Sequence, residues 1–118
     1  MVGCYIGVYF KKKMLNRIKP KSIKFCKVKS GAMGYTGNKG AVCVRFEIDN
    51  QNLMFINCHL MSGRRKDTQR LEQLGSILKA SFANNLRQRG MGIENHQFAV
   101  VMGDLNFRID AFSRQEVL

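Results

Sequence analysis

Two polar side chains near the end of the chain, those of Asp104 and Asn106, have the types and spacing needed to hydrolyse a phosphoester. They follow the apolar stretch 98–101, which predicts a buried strand. Side chains two residues apart on an extended segment point the same way. The carboxylate could then accept a proton from water while the carboxamide hydrogen-bonds a developing anion. Asp and Asn are also common turn formers after a strand, so a structural role stays an alternative.

A cation and an imidazole stand at the ends of other predicted elements. Lys39 lies in the glycine-rich stretch 31–40, whose backbone could approach a ligand closely. The stretch is not a P-loop, because its spacing to Lys39 differs and Asn38 precedes the lysine. His59 follows a strand-like segment. With Asp104 these groups predict a phosphate site, although a solvated turn lysine and a structural histidine are the alternatives.

The elements that must position these groups are several strands and one long helix. Apolar residues at helical spacing predict a helix over residues 65–89, closed by glycines at 90 and 92. Strand patterns cover residues 2–10, 22–28, 41–48, 53–58 and 98–101, with a hairpin turn at 49–52. The order indicates an α+β fold. A chain of 118 residues suffices for one domain or part of one.

Positive charge is concentrated in the first part of the chain. The formal net charge is +12, and residues 1–46 hold 11 Lys or Arg and no Asp or Glu. This basic surface predicts an anionic partner such as nucleic acid, anionic lipid or a polyphosphate, with a merely solvated face as the alternative. The sequence shows neither a bilayer-spanning apolar stretch nor a signal-peptide pattern, so we expect a cytoplasmic location.

The four cysteines predict reduced thiols rather than a zinc site. Cys4, Cys26, Cys43 and Cys58 form no C-x-x-C pair, and each lies in a strand-like segment. Cys58 precedes His59, but adjacent strand residues face opposite sides, so we do not expect a cysteine hydrolase.

Three motifs taken together resemble successive motifs of the inositol polyphosphate 5-phosphatases, in the endonuclease/exonuclease/phosphatase superfamily. They lie at residues 37–42 (GNKGAV), 57–60 (NCHL) and 103–108 (GDLNFR). The resemblance implies an α+β chain forming part of a four-layer α/β/β/α sandwich with mixed sheets. It also implies Mg²⁺-dependent removal of the 5-phosphate from phosphoinositides or soluble inositol polyphosphates.

The same resemblance implies three catalytic residues. Asp104 would orient and deprotonate the attacking water. Asn106 would hydrogen-bond the phosphoryl oxygens as charge develops, and His59 would contact the scissile phosphate.

The resemblance also implies how substrate and membrane are bound. Asn38 and Lys39 would hold another phosphate of the substrate, while Met33 and Tyr35 would meet lipid tails or the membrane face. The implied partners are phosphoinositide lipids, inositol polyphosphates and an anionic membrane surface, at which the protein would be peripheral. Nucleic acid is not expected.

The family's domain extends beyond both ends of this sequence. Its metal-binding glutamate lies upstream, and its Pro-x-Trp-Cys-Asp-Arg motif and a later Asp-His pair lie downstream, without a match here. We therefore expect residues 1–118 to be a partial catalytic domain that lacks its N- and C-terminal parts. Its metal ligand would lie outside the chain, and the isolated chain would be inactive.

Two other functions stay open. One is another phosphodiesterase or endonuclease of the superfamily, which the Asn38–Lys39 element argues against because it is typical of the inositol phosphatases. The other is a non-catalytic basic module that binds anionic membranes or inositol phosphates. The sequence leaves open which inositol compound is preferred and what oligomeric state the protein adopts.

Overall fold

One mixed sheet organises the computed structural model, which describes residues 3–30, 38–82 and 91–108. Its strand order is β1–β2–β3–β4. The strands are β1 (Lys24–Lys29), β2 (Gly40–Ile48), β3 (Gln51–His59) and β4 (Phe98–Asp104). The first three are antiparallel neighbours, and β4 runs parallel to β3. This arrangement confirms the predicted α+β class.

A tight hairpin joins β2 to β3. Its two turn residues, Asp49 and Asn50, have φ of 48° and 61°. Two left-handed residues match the twist of antiparallel strands, and Asn and Asp tolerate that conformation. The turn is shorter than the predicted 49–52, because Gln51 and Asn52 already belong to β3.

The helix α1 (Asp67–Ala80) lies between β3 and β4 in sequence and packs on one face of the sheet. The prediction of a helix from 65 to 89 was wrong at its start and over residues 81–82, the last part of that stretch that the structure describes. Arg65 has a φ of 54°, and Phe82 has a φ of 60° with its side chain 1% exposed. Burial of Phe82 in the core therefore turns the chain out of the helix after Ala80, and residues 83–90 lie outside the described part.

The core lies between this helix and the sheet. Its fully buried members are Ala41, Cys43, Met54, Ile56, Cys58, Leu60, Ile77 and Phe82. They alternate along β2 and β3, as the two-residue period of a strand requires. No helix among the described residues is long and apolar enough to span a membrane.

The N-terminal segment lies on the other face of the sheet. The Asn57 carboxamide donates a hydrogen bond to the Tyr5 carbonyl, and the Phe10 ring meets Phe46 edge-on at 4.9 Å. The prediction of a strand over residues 2–10 was wrong, since Gly3–Phe10 forms no strand. A strand needs a neighbouring backbone for its hydrogen bonds, and none of the described residues pairs with this segment.

Strand β4 is more exposed than the sequence predicted. Phe98 is 68% exposed, and Val100 and Met102 are 40% and 38% exposed. Val101, on the side of α1, packs against the core. The prediction of a buried strand was wrong because β4 is an edge strand of this sheet, and Val101 is its one half-buried residue.

Candidate active site

The ends of three neighbouring strands bring the predicted polar groups together. The register pairs Gly40 with His59 and His59 with Asp104. Lys39, directly before β2, therefore meets the last residues of β3 and β4. The Lys39 Nζ lies 2.6 Å from His59 Nε2, which lies 3.6 Å from Asp104 Oδ2. The structure thus assembles a cation, an imidazole and a carboxylate that are distant in sequence.

The hydrogen bond between Lys39 and His59 has one direction when the lysine is charged. An ammonium has only donors, so Nζ donates and His59 Nε2 accepts. The His59 side chain is 27% exposed and that of Asp104 is 63% exposed. Water can therefore reach the carboxylate, while the ammonium and the ring present positive charge and a nitrogen donor nearby.

Asn106 departs from the extended geometry that the sequence predicted. Its φ is 55°, and its backbone N–H donates to Asp104 Oδ1 at 3.1 Å. Its Nδ2 donates to the Leu60 carbonyl at 3.0 Å. The chain turns directly after Asp104, so the premise of two parallel side chains on an extended segment was wrong. The turn-forming alternative is realised, and Asn106 holds the Asp104 carboxylate beside the end of β3.

Gly103 determines how closely β4 approaches β3, a role that was not predicted from the sequence. Its φ is 118°, and a Cβ placed there would lie 2.1 Å from the Cys58 carbonyl oxygen and 2.4 Å from Asn57 Oδ1. Only glycine fits this backbone and this space. The available signal was a glycine just after a predicted strand, where it can mark a close backbone approach.

Arg70 is a second group that the sequence analysis missed. Its side chain is fully buried, and its Nη1 donates to the carbonyls of Met61 and Gly63 at 3.3 and 2.9 Å. Its Nη2 donates to Asp67 Oδ1 at 2.6 Å, and its guanidinium carbon lies 5.5 Å from the centre of the Phe107 ring. Arg70 thus joins the two loops that follow His59 and Asp104. The only sequence signal was the Asp-x-x-Arg spacing, which is equally typical of an exposed helix pair.

Gln73, one helical turn further, supports the same region. Its Oε1 accepts from the Met61 N–H at 2.8 Å, and its Nε2 donates to Ser30 Oγ at 2.7 Å. The Ser30 N–H in turn donates to the Lys39 carbonyl at 3.1 Å. The polar side of α1 therefore positions the backbone on both sides of the Lys39–His59 contact.

The remaining predicted residues divide into two groups. Asn38 is exposed and directly precedes Lys39, in the position from which it could reach the same ligand. Met33 and Tyr35 lie outside the described residues. Cys58 is buried on the opposite side from His59, and burial raises the pKa of its thiol to about 11. That thiol is protonated at neutral pH and has no access to the site.

Comparison with known families adds an independent observation. A profile described as Endonuclease/Exonuclease/phosphatase family 2 matches residues 1–118. The chain belongs to this family.

Two fission-yeast proteins and one solved structure illustrate the similarity. The chain is 33% identical to a probable inositol polyphosphate 5-phosphatase and 36% identical to inositol-1,4,5-trisphosphate 5-phosphatase 1, both of Schizosaccharomyces pombe. The alignments cover 93% and 92% of this chain and 10% of each relative. The 5-phosphatase domain of SPsynaptojanin, solved with inositol (1,4)-bisphosphate and a calcium ion, superimposes with a TM-score of 0.72 at 32% identity. That match covers 91% of this chain and 29% of the solved one, so the chain spans a minor part of its relatives.

The described residues of this family member do not form a divalent-cation site. They contain no group of three or more His, Cys, Asp or Glu side chains that could hold a metal. The imidazole nitrogen nearest to Asp104 already accepts from the Lys39 ammonium, and a second positive charge there would be repelled. A hard divalent cation prefers several oxygen ligands, whereas this site offers one carboxylate. The site fits an anion better than a cation.

Proposed function

We propose that this chain contributes the phosphate-binding and water-activating groups of an enzyme that removes the 5-phosphate from phosphoinositides or soluble inositol polyphosphates. The observation that carries the proposal is the junction of Lys39 Nζ, His59 Nε2 and Asp104 Oδ2 at the ends of three adjacent strands. The names of the relatives support the substrate class. The match to the whole chain by a phosphatase family supports the type of reaction.

Each group has a role in phosphomonoester hydrolysis that its chemistry allows. Lys39 and the ring of His59 hydrogen-bond the phosphoryl oxygens, and the Lys39 ammonium balances their negative charge. Asp104 accepts a proton from a water molecule, whose oxygen attacks phosphorus as the bond to the inositol oxygen breaks. The inositol oxygen takes up a proton from solvent and leaves as a hydroxyl group. Asn106 keeps the carboxylate oriented through its backbone N–H.

We also propose that the reaction depends on Mg²⁺, which would stabilise charge on the phosphoryl group when bound. Support comes from the family resemblance and from the calcium ion in the solved relative. Since the described residues do not fit a cation, the ligands would come from elsewhere in the domain.

Peripheral binding to anionic membranes at the cytoplasmic side is a further part of the proposal. Lys24, Lys27 and Lys29 are exposed along β1, at the edge of the sheet. A cluster of lysines near an anionic surface contributes roughly 1 kcal/mol per residue. Sedimentation with phosphatidylserine vesicles should therefore be lost when these three lysines become glutamine, and unchanged binding would contradict this part.

A binding experiment tests the proposed site directly. We expect Lys39→Met to weaken binding of inositol (1,4)-bisphosphate by about tenfold, as measured by isothermal titration calorimetry, because one charge-assisted hydrogen bond is worth about 1.4 kcal/mol or more. Lys79→Met, which removes an exposed lysine from the last turn of α1, is the matched control and should leave affinity unchanged. Equal weakening by both variants would show non-specific charge attraction and refute the site.

Phosphate release separates the enzyme from its two alternatives. We expect the chain to bind inositol phosphates, to release no phosphate alone with Mg²⁺, and to lose none of its binding in Asp104→Asn. Preferential binding of duplex DNA over phosphoinositide vesicles would favour an endonuclease instead. In a longer protein that contains this segment, phosphate release should be abolished by Asp104→Asn, and unchanged release would favour the non-catalytic module.

A further inference from the structure

Two cysteines face each other across the first pair of strands. The register places Cys26 of β1 directly opposite Cys43 of β2, on the side of the sheet that α1 covers. In the same ladder the Ser30 N–H donates to the Lys39 carbonyl, so these two residues form a backbone hydrogen-bonded pair. Such pairs recur at every second residue of antiparallel strands, and Cys26 and Cys43 are therefore also a backbone hydrogen-bonded pair. The Cα atoms of such a pair lie about 5.5 Å apart, within the range of disulfides. Both thiols are free in this structure.

The two thiols have unequal surroundings. Cys43 is 1% exposed, and its Sγ lies 3.3 Å from Ser81 Oγ. Cys26 is half-buried at the edge strand β1. The neighbouring Cys43 thiol and the Phe82 backbone lower the pKa of Cys26 to about 7. The same contact with Cys26, together with burial, raises the pKa of Cys43.

We propose that Cys26 and Cys43 form a peroxide-sensitive dithiol, in which Cys26 is the nucleophile and Cys43 the resolving thiol. The Cys26 thiolate attacks one oxygen of hydrogen peroxide, so that an S–O bond forms, the O–O bond breaks, and hydroxide leaves to become water with the proton that Cys26 released. The Cys43 sulfur then attacks the Cys26 sulfur, an S–S bond forms, and the sulfenic hydroxyl leaves as water with the Cys43 proton. Two thiols lose two electrons in total, and one peroxide becomes two waters.

The register also predicts that the disulfide is easily reduced. In a hydrogen-bonded pair the Cβ atoms lie near the upper end of about 4.5–5.5 Å, whereas disulfides prefer about 3.5–4.5 Å. Closing the bond therefore strains the two strands, and strained disulfides are the more oxidising and labile ones. The pair is suited to reversible modification rather than to a permanent cross-link, and this inference does not depend on the proposed phosphatase activity.

Peptide mapping can detect the predicted bond. The reduced 118-residue chain would be treated with a small excess of hydrogen peroxide, blocked with N-ethylmaleimide in urea, digested with trypsin and analysed without reduction. Cleavage after Lys24, Lys27, Lys39 and Arg45 leaves each of the two cysteines on its own peptide, residues 25–27 and 40–45. We expect these two peptides to appear linked, two hydrogen masses lighter than their sum, and to separate on treatment with dithiothreitol.

Thiol variants assign the two roles. Cys43→Ser should leave Cys26 as a sulfenic acid that dimedone traps, whereas Cys26→Ser should leave Cys43 unmodified until the chain is unfolded. Cys58→Ser is the control and should leave the linked peptides unchanged. In the native wild type, Cys26 should react with iodoacetamide about 100-fold faster than Cys58. The pKa values of about 7 and about 11 give Cys26 far more thiolate at neutral pH, and the lower nucleophilicity of its thiolate offsets part of this advantage.

The outcomes decide the proposal even if one variant folds poorly. Cys26→Ser changes a half-buried position and tests the nucleophile when the buried Cys43→Ser fails to fold. Peroxide treatment of the urea-unfolded chain should give a mixture of pairings without preference. The same mixture from the native chain, a dominant Cys4–Cys26 link, or equal peroxide consumption by Cys26→Ser would each overturn the proposal.

Discussion

Replacing Gly103 with alanine should separate β4 from β3 at the candidate site. The new Cβ would lie 2.1 Å from the Cys58 carbonyl oxygen, and real Cβ contacts are essentially never shorter than 3.0 Å. The obstacle is backbone rather than a flexible side chain, so one strand must move. The strands would separate at the last two pairs of the parallel ladder, Cys58–Gly103 and His59–Asp104.

The size of the effect follows from two contributions. A non-glycine residue at a φ of 118° costs about 1–3 kcal/mol. Loss of one or two ladder hydrogen bonds adds about 0.5–1.5 kcal/mol each. We therefore expect Gly103→Ala to lower the free energy of unfolding by about 1.5–6 kcal/mol, a large share of the 5–15 kcal/mol typical of a domain.

Urea unfolding followed by circular dichroism measures this change. Gly75→Ala is the matched control, because a Cβ at that position in α1 meets no atom within 4 Å. Alanine there should raise the free energy of unfolding by about 0.5–1 kcal/mol, since glycine disfavours a helix interior. Binding of inositol (1,4)-bisphosphate, measured in parallel, should weaken in Gly103→Ala alone. A wild-type unfolding midpoint for Gly103→Ala would refute the close-approach argument.

Three further predictions concern stability. Arg70→Met should lower the free energy of unfolding, measured in urea, by about 3 kcal/mol, because the Met61 and Gly63 carbonyls lose a charged donor. Arg70→Lys should recover part of this loss. Equal stability of the wild type and both variants would contradict the role of Arg70. Burial and the Arg45 guanidinium hold the pKa of His96 below its usual 6.5. Unfolding therefore takes up a proton near and below pH 6.5, and the stability that His96 contributes above about pH 6.5 is lost as the pH falls. The urea midpoint should fall between about pH 7.5 and about pH 5.5, and an unchanged slope in His96→Gln would exclude this histidine as the cause. Asn50→Val should cost about 1–2 kcal/mol in thermal unfolding while Asn50→Gly should not, because Asn50 has a φ of 61°; similar losses in both variants would count against the turn geometry.

The sequence pattern predicted those elements that are held together by contacts between residues close in sequence. The alternation along β2 and β3 and the Asp-Asn turn between them define a hairpin from short-range signals alone. The motif at Gly103 and Asp104 likewise marks a strand end, where the structure places it. The end of α1 at Ala80 was not predictable from the sequence. The helical spacing of apolar residues continues beyond that point, but burial of the Phe82 side chain overrides it.

Other features depend on neighbours that a pattern does not reveal. Residues 2–10 have the composition of a strand, yet the segment Gly3–Phe10 has no strand partner among the described residues and lies on the sheet face instead. The predicted site residues Lys39, His59 and Asp104 do meet, but their contact depends on strand order and register. The role of Arg70 depends on two loops that only the fold brings together.

The mixed direction of the sheet has a consequence for the order in which the site assembles. We expect Lys39 and His59 to meet early in folding, because one antiparallel hairpin joins them and its contacts are closer in sequence than those of β4. We expect Asp104 to join later, because its parallel pairing with β3 spans a longer stretch of chain that includes α1. The anion-binding half of the site would then form before its proton acceptor, which depends on the docking of β4.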